Sequence, residues 1–527
     1  MRKHNFHFVS ILVILSIFLT GCAGGAASRD KTKEAVVADS VNPGGLDVHQ
    51  TGAGMTSVFL SEPILWRSPD FQEYVPNVAS AYKLSDDGLE LRLTFDPSLK
   101  FYNGDPLTLD DVVFSFQWSL DHSAKAGPLH DIDTITIDGQ DVVLKLKQPS
   151  PALMVYLTDY ASGIVQSKAA KSMTPEEFNL NPVQYGTMYP VEWVQGYKLV
   201  LKRNPYFKCF NPFVKNKGPV AMETITVRYI MDGMTIMNEF MAGNLDFVPS
   251  IPSEMVPQVM SNPKIKVNHV MSKSFGFVTF NPTVAPLDDV RVRKAMAMAI
   301  DRDELAAYYG GPDYFIPLYG LITPAGMFYS QQTEDYVKSK LPFDLSAAKA
   351  LMAEAGWKDS DADGFLDKDG KKLQFKFTAT PMAINALLAS QWKRLGVEVK
   401  IEEIDYVMYG ERIKAGNYEI SQNGSGGGDP SVLATSLMEY KGLWDETNPA
   451  IQAWVDVGHE IDPAKRSVLT AEAVKAIETD QVLVVGLIAP VEYNAAQSYV
   501  TGMVETPSGY TWLYLNDLNN VANLKTP

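Results

Sequence analysis

The chain has 527 residues, 46% of them hydrophobic and 11% aromatic, with a formal net charge of −16, seven histidines and two cysteines. That length supplies core material for about three domains. The acidic balance, with no basic face in the sequence, excludes nucleic acid as a partner, because phosphate neutralisation needs clustered Lys and Arg. The absence of HExxH or a paired CxxC excludes a zinc site of common spacing.

The first residues follow the order basic, apolar, small, cysteine. Arg2 and Lys3 form a charged start, and the apolar stretch from Val9 to Leu19 is shorter than the roughly 20 residues of a membrane-spanning helix, so 1–21 reads as a signal peptide. Leu19-Thr20-Gly21-Cys22 resembles the lipobox of bacterial lipoproteins, in which the cysteine is acylated. Cys22 is then a lipid anchor and 22–35, rich in small and polar residues, a tether. The alternative is an ordinary secretory signal with a chance cysteine. Lipidation leaves Cys209 with no second cysteine for an intramolecular disulfide, so the fold must rest on its core.

Further along, Leu89, Leu91, Leu93 and Phe95 alternate with polar residues, which marks a half-buried strand. Thr108 and Asp111 form a capping signal ahead of Val112, Val113, Phe114 and Phe116, predicting a helix start. Ile135 and Ile137 lead through Asp138-Gly139 into Val143 to Leu146, predicting a β-hairpin. The stretch 61–178 is thus an α/β unit of its own. Strands are predicted over 199–201, 225–229, 275–280, 373–377 and 397–401. Helices are predicted over 290–309, 347–355 and 383–395, with Gly356 closing the second. Strand and helix alternate after residue 280, which points to an α/β lobe.

Two segments carry binding potential. The run Asn423, Gly424, Ser425, Gly426, Gly427, Gly428, Asp429 follows a predicted strand. Its glycines permit close approach of backbone to a ligand, and Asp429 is a candidate acceptor for an amine or sugar hydroxyl; the competing reading is a loop whose Asp429-Pro430 starts a turn or helix. Asp359, Asp361, Asp363 and Asp367 have the spacing of the first part of an EF-hand loop, with Gly370 where the bidentate glutamate belongs. They read as a solvated acidic turn or a weak structural calcium site. Trp193, Trp392 and Trp444 are candidate stacking platforms, Trp392 least so because it lies in a helical apolar pattern.

Four blocks resemble the family 5 solute-binding proteins, the oligopeptide, dipeptide and nickel binders of ABC importers. They are Leu84-Ser85-Asp86-Asp87-Gly88-Leu89 with Lys100 to Thr108 and Asp110 to Phe116; Gly196 to Pro205; Phe280-Asn281-Pro282 with Asp288 to Ala295; and Ala348 to Trp357. The resemblance implies an α/β, periplasmic-binding-protein-like fold of two lobes with an extra α/β domain inserted in the first. The expected division is 36–60, 179–272 and 492–527 for lobe I, 61–178 for the insert and 273–491 for lobe II.

The resemblance places Thr51, Gly54 and Met55 where the first lobe meets ligand, makes 423–429 a binding loop, and leaves Trp444 a candidate contact. Asn281 is a candidate for the hinge or cleft wall. Where peptide binders of the family commonly carry an aspartate for the ligand's α-amine, four residues before the proline, this chain has Gly426, which speaks against a free peptide amine.

The expected function is capture of a small solute, a peptide or oligosaccharide, between closing lobes for an ABC-type permease. The protein is expected to be a monomer without catalysis, cofactor or nucleic-acid partner, anchored at the outer face of the cytoplasmic membrane or in the periplasm. A secreted α/β hydrolase and a receptor lipoprotein that presents its ligand to a signalling partner are the alternatives.

Overall fold

The computed structural model describes residues 30–500 apart from 52, 53, 70, 71, 427, 444 and 446. The expected signal peptide, Cys22, Gly427, Trp444 and the tail after 500 lie outside the described residues. Among those described, no helix is long and apolar enough to cross a membrane.

Two mixed sheets dominate. The larger has eight strands, ordered Ile265–Met271, Ile488–Gln497, Phe247–Val248, Glu34–Asp39, Thr224–Tyr229, Lys198–Arg203 and Met188–Val194, with Phe315–Pro317 pairing onto the start of 488–497. Its first strand begins at Glu34, inside the segment expected to be tether. The smaller has five strands, ordered Glu398–Glu403, Gln374–Ala379, Ile420–Ser425, Phe275–Phe280 and Val484–Gly486. Alternation of buried and exposed positions along 198–203 and 224–229 is the period expected of strands with one face on a core.

Two of the chain's passages between these sheets lie side by side. Ser272, Lys273 and Ser274 separate the 265–271 strand from the 275–280 strand, and Leu487 alone separates 484–486 from 488–497. The Ser272 amide donates to the Pro490 carbonyl at 3.0 Å and the Leu487 amide to the Gly276 carbonyl at 2.9 Å, so the crossings are bonded to each other.

A third, four-stranded antiparallel sheet, ordered Ala81–Leu84, Glu90–Thr94, Asp141–Leu146 and Ile132–Asp138, is interposed in the first half of the chain. Leu91, Leu93, Val142 and Leu144 are fully buried against Phe101, Val112 and Phe116. Each such side chain contributes about 1.5–3 kcal/mol of burial. The helix facing this sheet runs Leu109–His122 from a complete capping box at Thr108 and Asp111, as the sequence signal predicts. Trp118 on that helix donates its indole N–H to Asp47 at 2.8 Å, tying the small sheet's unit to the eight-stranded one.

The predicted helix over 290–309 is two helices, Val290–Met298 and Arg302–Tyr308. Asp301 takes an extended backbone conformation and its carboxylate accepts from the Glu304 amide, so it caps the second helix and interrupts the first. Ala383–Leu395 forms as expected and ends on Gly396 at φ 93°, where a side chain would be strained.

Candidate functional site

A cleft of about 580 Å³ opens between the small sheet's unit and the five-stranded unit. One wall is Trp66, Arg67, Lys125, Ala152, Val155, Tyr156, Asp159 and Tyr160; the other is Lys273, Gly426, Val432, Thr435, Ser436 and Glu439. The first wall is largely apolar and aromatic, with the Trp66 and Tyr160 rings edge to face at 5.8 Å. The volume and the mixture of apolar lining with a few charges match a small-molecule site.

Local structure explains how these groups come to face one another. Arg67 ends the short strand Leu65–Arg67, which pairs with Tyr74–Pro76, and its guanidinium lies 5.8 Å from the Tyr74 ring centroid. Lys125 pairs with Asp159 at 2.9 Å, and Asp159 also caps a helical turn by accepting from the Ala161 amide. Lys273 sits on the first crossing between the large sheets, and the glycine loop runs beneath it. A Cβ at Gly428, where φ is +68°, would meet Lys273 Cδ at 2.9 Å, and one at Gly426 would meet Ser274 Oγ at 2.9 Å. Glycine there leaves room for the lysine stem to lie across the loop. Burial, together with the nearby Arg67 charge, pushes the Lys273 ammonium down to about 7.

Of the residues singled out from sequence, Gly426 lines this cleft. Asp429 is placed differently from expectation. It is the N-cap of Pro430–Met438 and accepts from the Ser431 amide at 2.8 Å. It is also paired fork to fork with Arg466, at 2.6 and 3.0 Å, in a bridge whose side chains are 0% and 4% exposed. Tyr74, from the opposite unit, donates its hydroxyl to the remaining lone pairs at 3.3 Å. Burial raises the Asp429 pKa, but the Arg466 charge and its hydrogen bonds outweigh that and hold it below the ordinary range. The carboxylate expected to receive a ligand amine or hydroxyl is therefore already satisfied within the protein.

The other candidates have local work. Asn423 donates to the Tyr440 hydroxyl and accepts from the Gly424 amide. Ser425 is buried opposite Phe275 in the 275–280/420–425 strand pair. Gly428 gives its carbonyl to the Met327 amide at 2.7 Å. Asn281, expected at the hinge or cleft wall, stands at the end of 275–280 remote from the crossing, where it donates to the Tyr418 carbonyl and accepts from Thr283.

In the first-lobe segment, Thr51 donates to the Asp47 carbonyl, and the buried Met55 donates its amide to Asp39 at 2.8 Å. A Cβ at Gly54 would sit 2.5 Å from that same carboxylate. Thr51, Gly54 and Met55 thus surround or adjoin the groups that hold Asp39, and among the described residues they are not part of the cleft's lining. Trp392 is fully buried and donates to the Met296 carbonyl, as its helical apolar pattern suggests.

The acidic turn does bring Asp359, Asp361 and Asp363 close enough for their oxygens to lie within 4.8 Å of one another, all exposed. Asp367 turns away to Ser360, and Lys372 takes an Asp363 oxygen at 2.5 Å. One oxygen of the cluster, on Asp363, is thus taken by a lysine ammonium.

Sequence reasoning missed Arg67, Lys125, Lys273 and Arg466. The one signal for Lys273 was indirect: a run of glycines is what a long side chain crossing a loop requires, and only pairing of the 275–280 and 420–425 strands brings the two together.

The model of the bacterial extracellular solute-binding proteins, family 5 middle region, matches residues 73–442. The chain is 25% identical over 480 residues to Oligopeptide-binding protein AppA of Bacillus subtilis, covering 84% of this chain and 83% of that one. It is 23% identical over 458 residues to the Dipeptide-binding protein of Escherichia coli, covering 80% and 82%. Among solved structures, NikA from Brucella suis in complex with Fe(III)-EDTA superposes with a TM-score of 0.76 at 17% identity, covering 92% of this chain and 99% of that one. AppA in complex with a nonapeptide gives 0.71 at 21% identity, covering 93% and 98%. At those identities the superpositions show a shared fold, two lobes of α/β structure.

Proposed function

Since the chain belongs to family 5 of the bacterial extracellular solute-binding proteins, we propose that it captures one solute molecule in the cleft between its two halves and delivers it to an ABC-type permease. It is a binding protein and not an enzyme, as its relatives are. The observation that carries the reading is the cleft's composition: residues 66–160 form one wall and residues 273 and 426–439 the other, so a molecule held there touches both. Ligand contacts made only when the walls approach are what stabilise a closed form.

The paired crossings at 272–274 and 487 are the proposed hinge, so the proposed division moves from the expected 491/492 to 487/488: 34–60, 179–271 and 488–527 on one side, 275–486 on the other, with 61–178 as the inserted domain. Cys22 is the proposed lipid anchor, holding a monomer at the outer face of the cytoplasmic membrane. The solute is a peptide or a similarly sized molecule; the relatives named for oligopeptides and dipeptides support the first. Small-angle scattering of the mature chain with and without a peptide pool tests the proposal. A smaller radius of gyration and retention of one ligand per chain are expected; an unchanged particle that retains nothing refutes it.

A further inference from the structure

The charged groups that line the cleft are paired within the protein. Lys125 bonds to Asp159 at 2.9 Å, and Glu439 lies 3.4 Å from Lys414. Arg67 and Lys273 also carry interactions of their own: the Arg67 charge acts on Asp429, and Asp159 and Glu492 act on Lys273. Behind the glycine loop, Asp429 is held by Arg466 and Tyr74, and Gly426 adds no side chain to the wall. The aliphatic hydroxyls of the lining follow a different pattern. Thr158 donates to the Val155 carbonyl at 2.7 Å, Thr435 to the Ser431 carbonyl at 2.8 Å and Ser436 to the Val432 carbonyl at 2.9 Å. A hydroxyl has one proton and two lone pairs, so with its proton committed to the main chain each of these groups is left as an acceptor. Thr158 stands on one wall of the cleft, Thr435 and Ser436 on the other.

Taking the cleft to be the solute site, as argued above, we propose that it recognises neutral hydrogen-bond donors: N–H or O–H groups along the solute's body donate to Thr158, Thr435 and Ser436 while its apolar face lies against Trp66, Tyr156 and Tyr160. Charges at the solute's ends are not read. The amide N–H groups of a peptide and the hydroxyls of an oligosaccharide share this chemistry. A charge carried into the cleft leaves water and finds the counter-charges there already paired, so its desolvation goes uncompensated. A neutral donor meets no such penalty, because the acceptor that replaces water is already oriented by its own bond to a helix carbonyl. With acceptors on both walls, a solute that carries donors along its length bonds to both halves at once.

The test uses the mature full chain, read by native mass spectrometry and calorimetry, with tri- and tetrapeptides in three forms: free termini, N-acetylated carboxamides, and those carboxamides with each backbone amide N-methylated. Maltodextrins, native and permethylated, form the oligosaccharide arm. Capping the peptides should change Kd by less than about ten-fold, whereas methylating the donors in whichever arm binds should weaken it by about ten-fold or more, the loss expected for two or three neutral hydrogen bonds. Thr435→Val with Ser436→Ala should diminish that methylation effect, and Thr435→Ser should keep it. Circular dichroism melting confirms that each variant is folded. Capping that weakens binding by about ten-fold or more, methylated probes that bind as tightly as their parents, or a methylation effect undiminished in the double variant overturns the inference while leaving solute capture intact. Failure of every probe to bind overturns both.

Discussion

Substitution of Asp429 separates a structural role from a ligand-binding one. Asp429→Leu strands the Arg466 guanidinium, 4% exposed and, among the described residues, left with the Val457 carbonyl as acceptor for its Nε. Breaking a buried pair in this way costs about 3–5 kcal/mol, and the lost cap on the Ser431 amide adds about 1 kcal/mol. Asp429→Leu with Arg466→Met removes both charges and leaves mainly the cap deficit, so its cost should fall to about 1–2 kcal/mol.

A chain of this size need not unfold in one step. The measure is therefore the local opening energy of Pro430–Met438 and Pro463–Lys475, from native-state hydrogen exchange resolved by peptide. The pH dependence has a fixed sign. The native pKa of Asp429 lies below its ordinary value, so the pair's contribution is complete above about pH 4 and drains away as pH falls through the lower native value. If the single variant opens no more easily than wild type, or the double variant as easily as the single, the assignment of Asp429 to a buried ion pair is wrong.

Tyr74→Phe removes a hydrogen bond between the two walls of the cleft, worth about 1 kcal/mol; the ligand-free ensemble should shift roughly five-fold toward open forms in scattering, and an unaltered profile would count against that contact. Glu62 is buried with a single Asn77 amide donating to it and is pushed from 4.5 up to about 7. The native state then holds a proton that the unfolded chain has lost between about pH 4 and 7, so wild-type stability should decline over that window by on the order of 3 kcal/mol relative to Glu62→Gln. Parallel pH profiles for the two proteins would refute it. Cys22→Ser should move the protein from the membrane fraction to the soluble exported fraction; retention at the membrane would remove the lipid anchor from the proposal.

What the sequence made legible was local. The capping box at Thr108, the hairpin after Ile137 and the helix over 383–395 each depend on residues within a few turns of one another, and each formed where expected. The helix over 290–309 failed because periodicity continues through Asp301 while its carboxylate, a strong N-cap, restarts the helix. At the cleft the partners are distant in sequence: Asp429 meets Arg466 37 positions away and Tyr74 355 positions away. A lone aspartate before a proline looks the same whether it is capped and paired or open to a ligand. The glycine run was marked as a place of close approach to a ligand. What approaches it within the protein is Lys273, a neighbour set by strand pairing and invisible to any window of sequence.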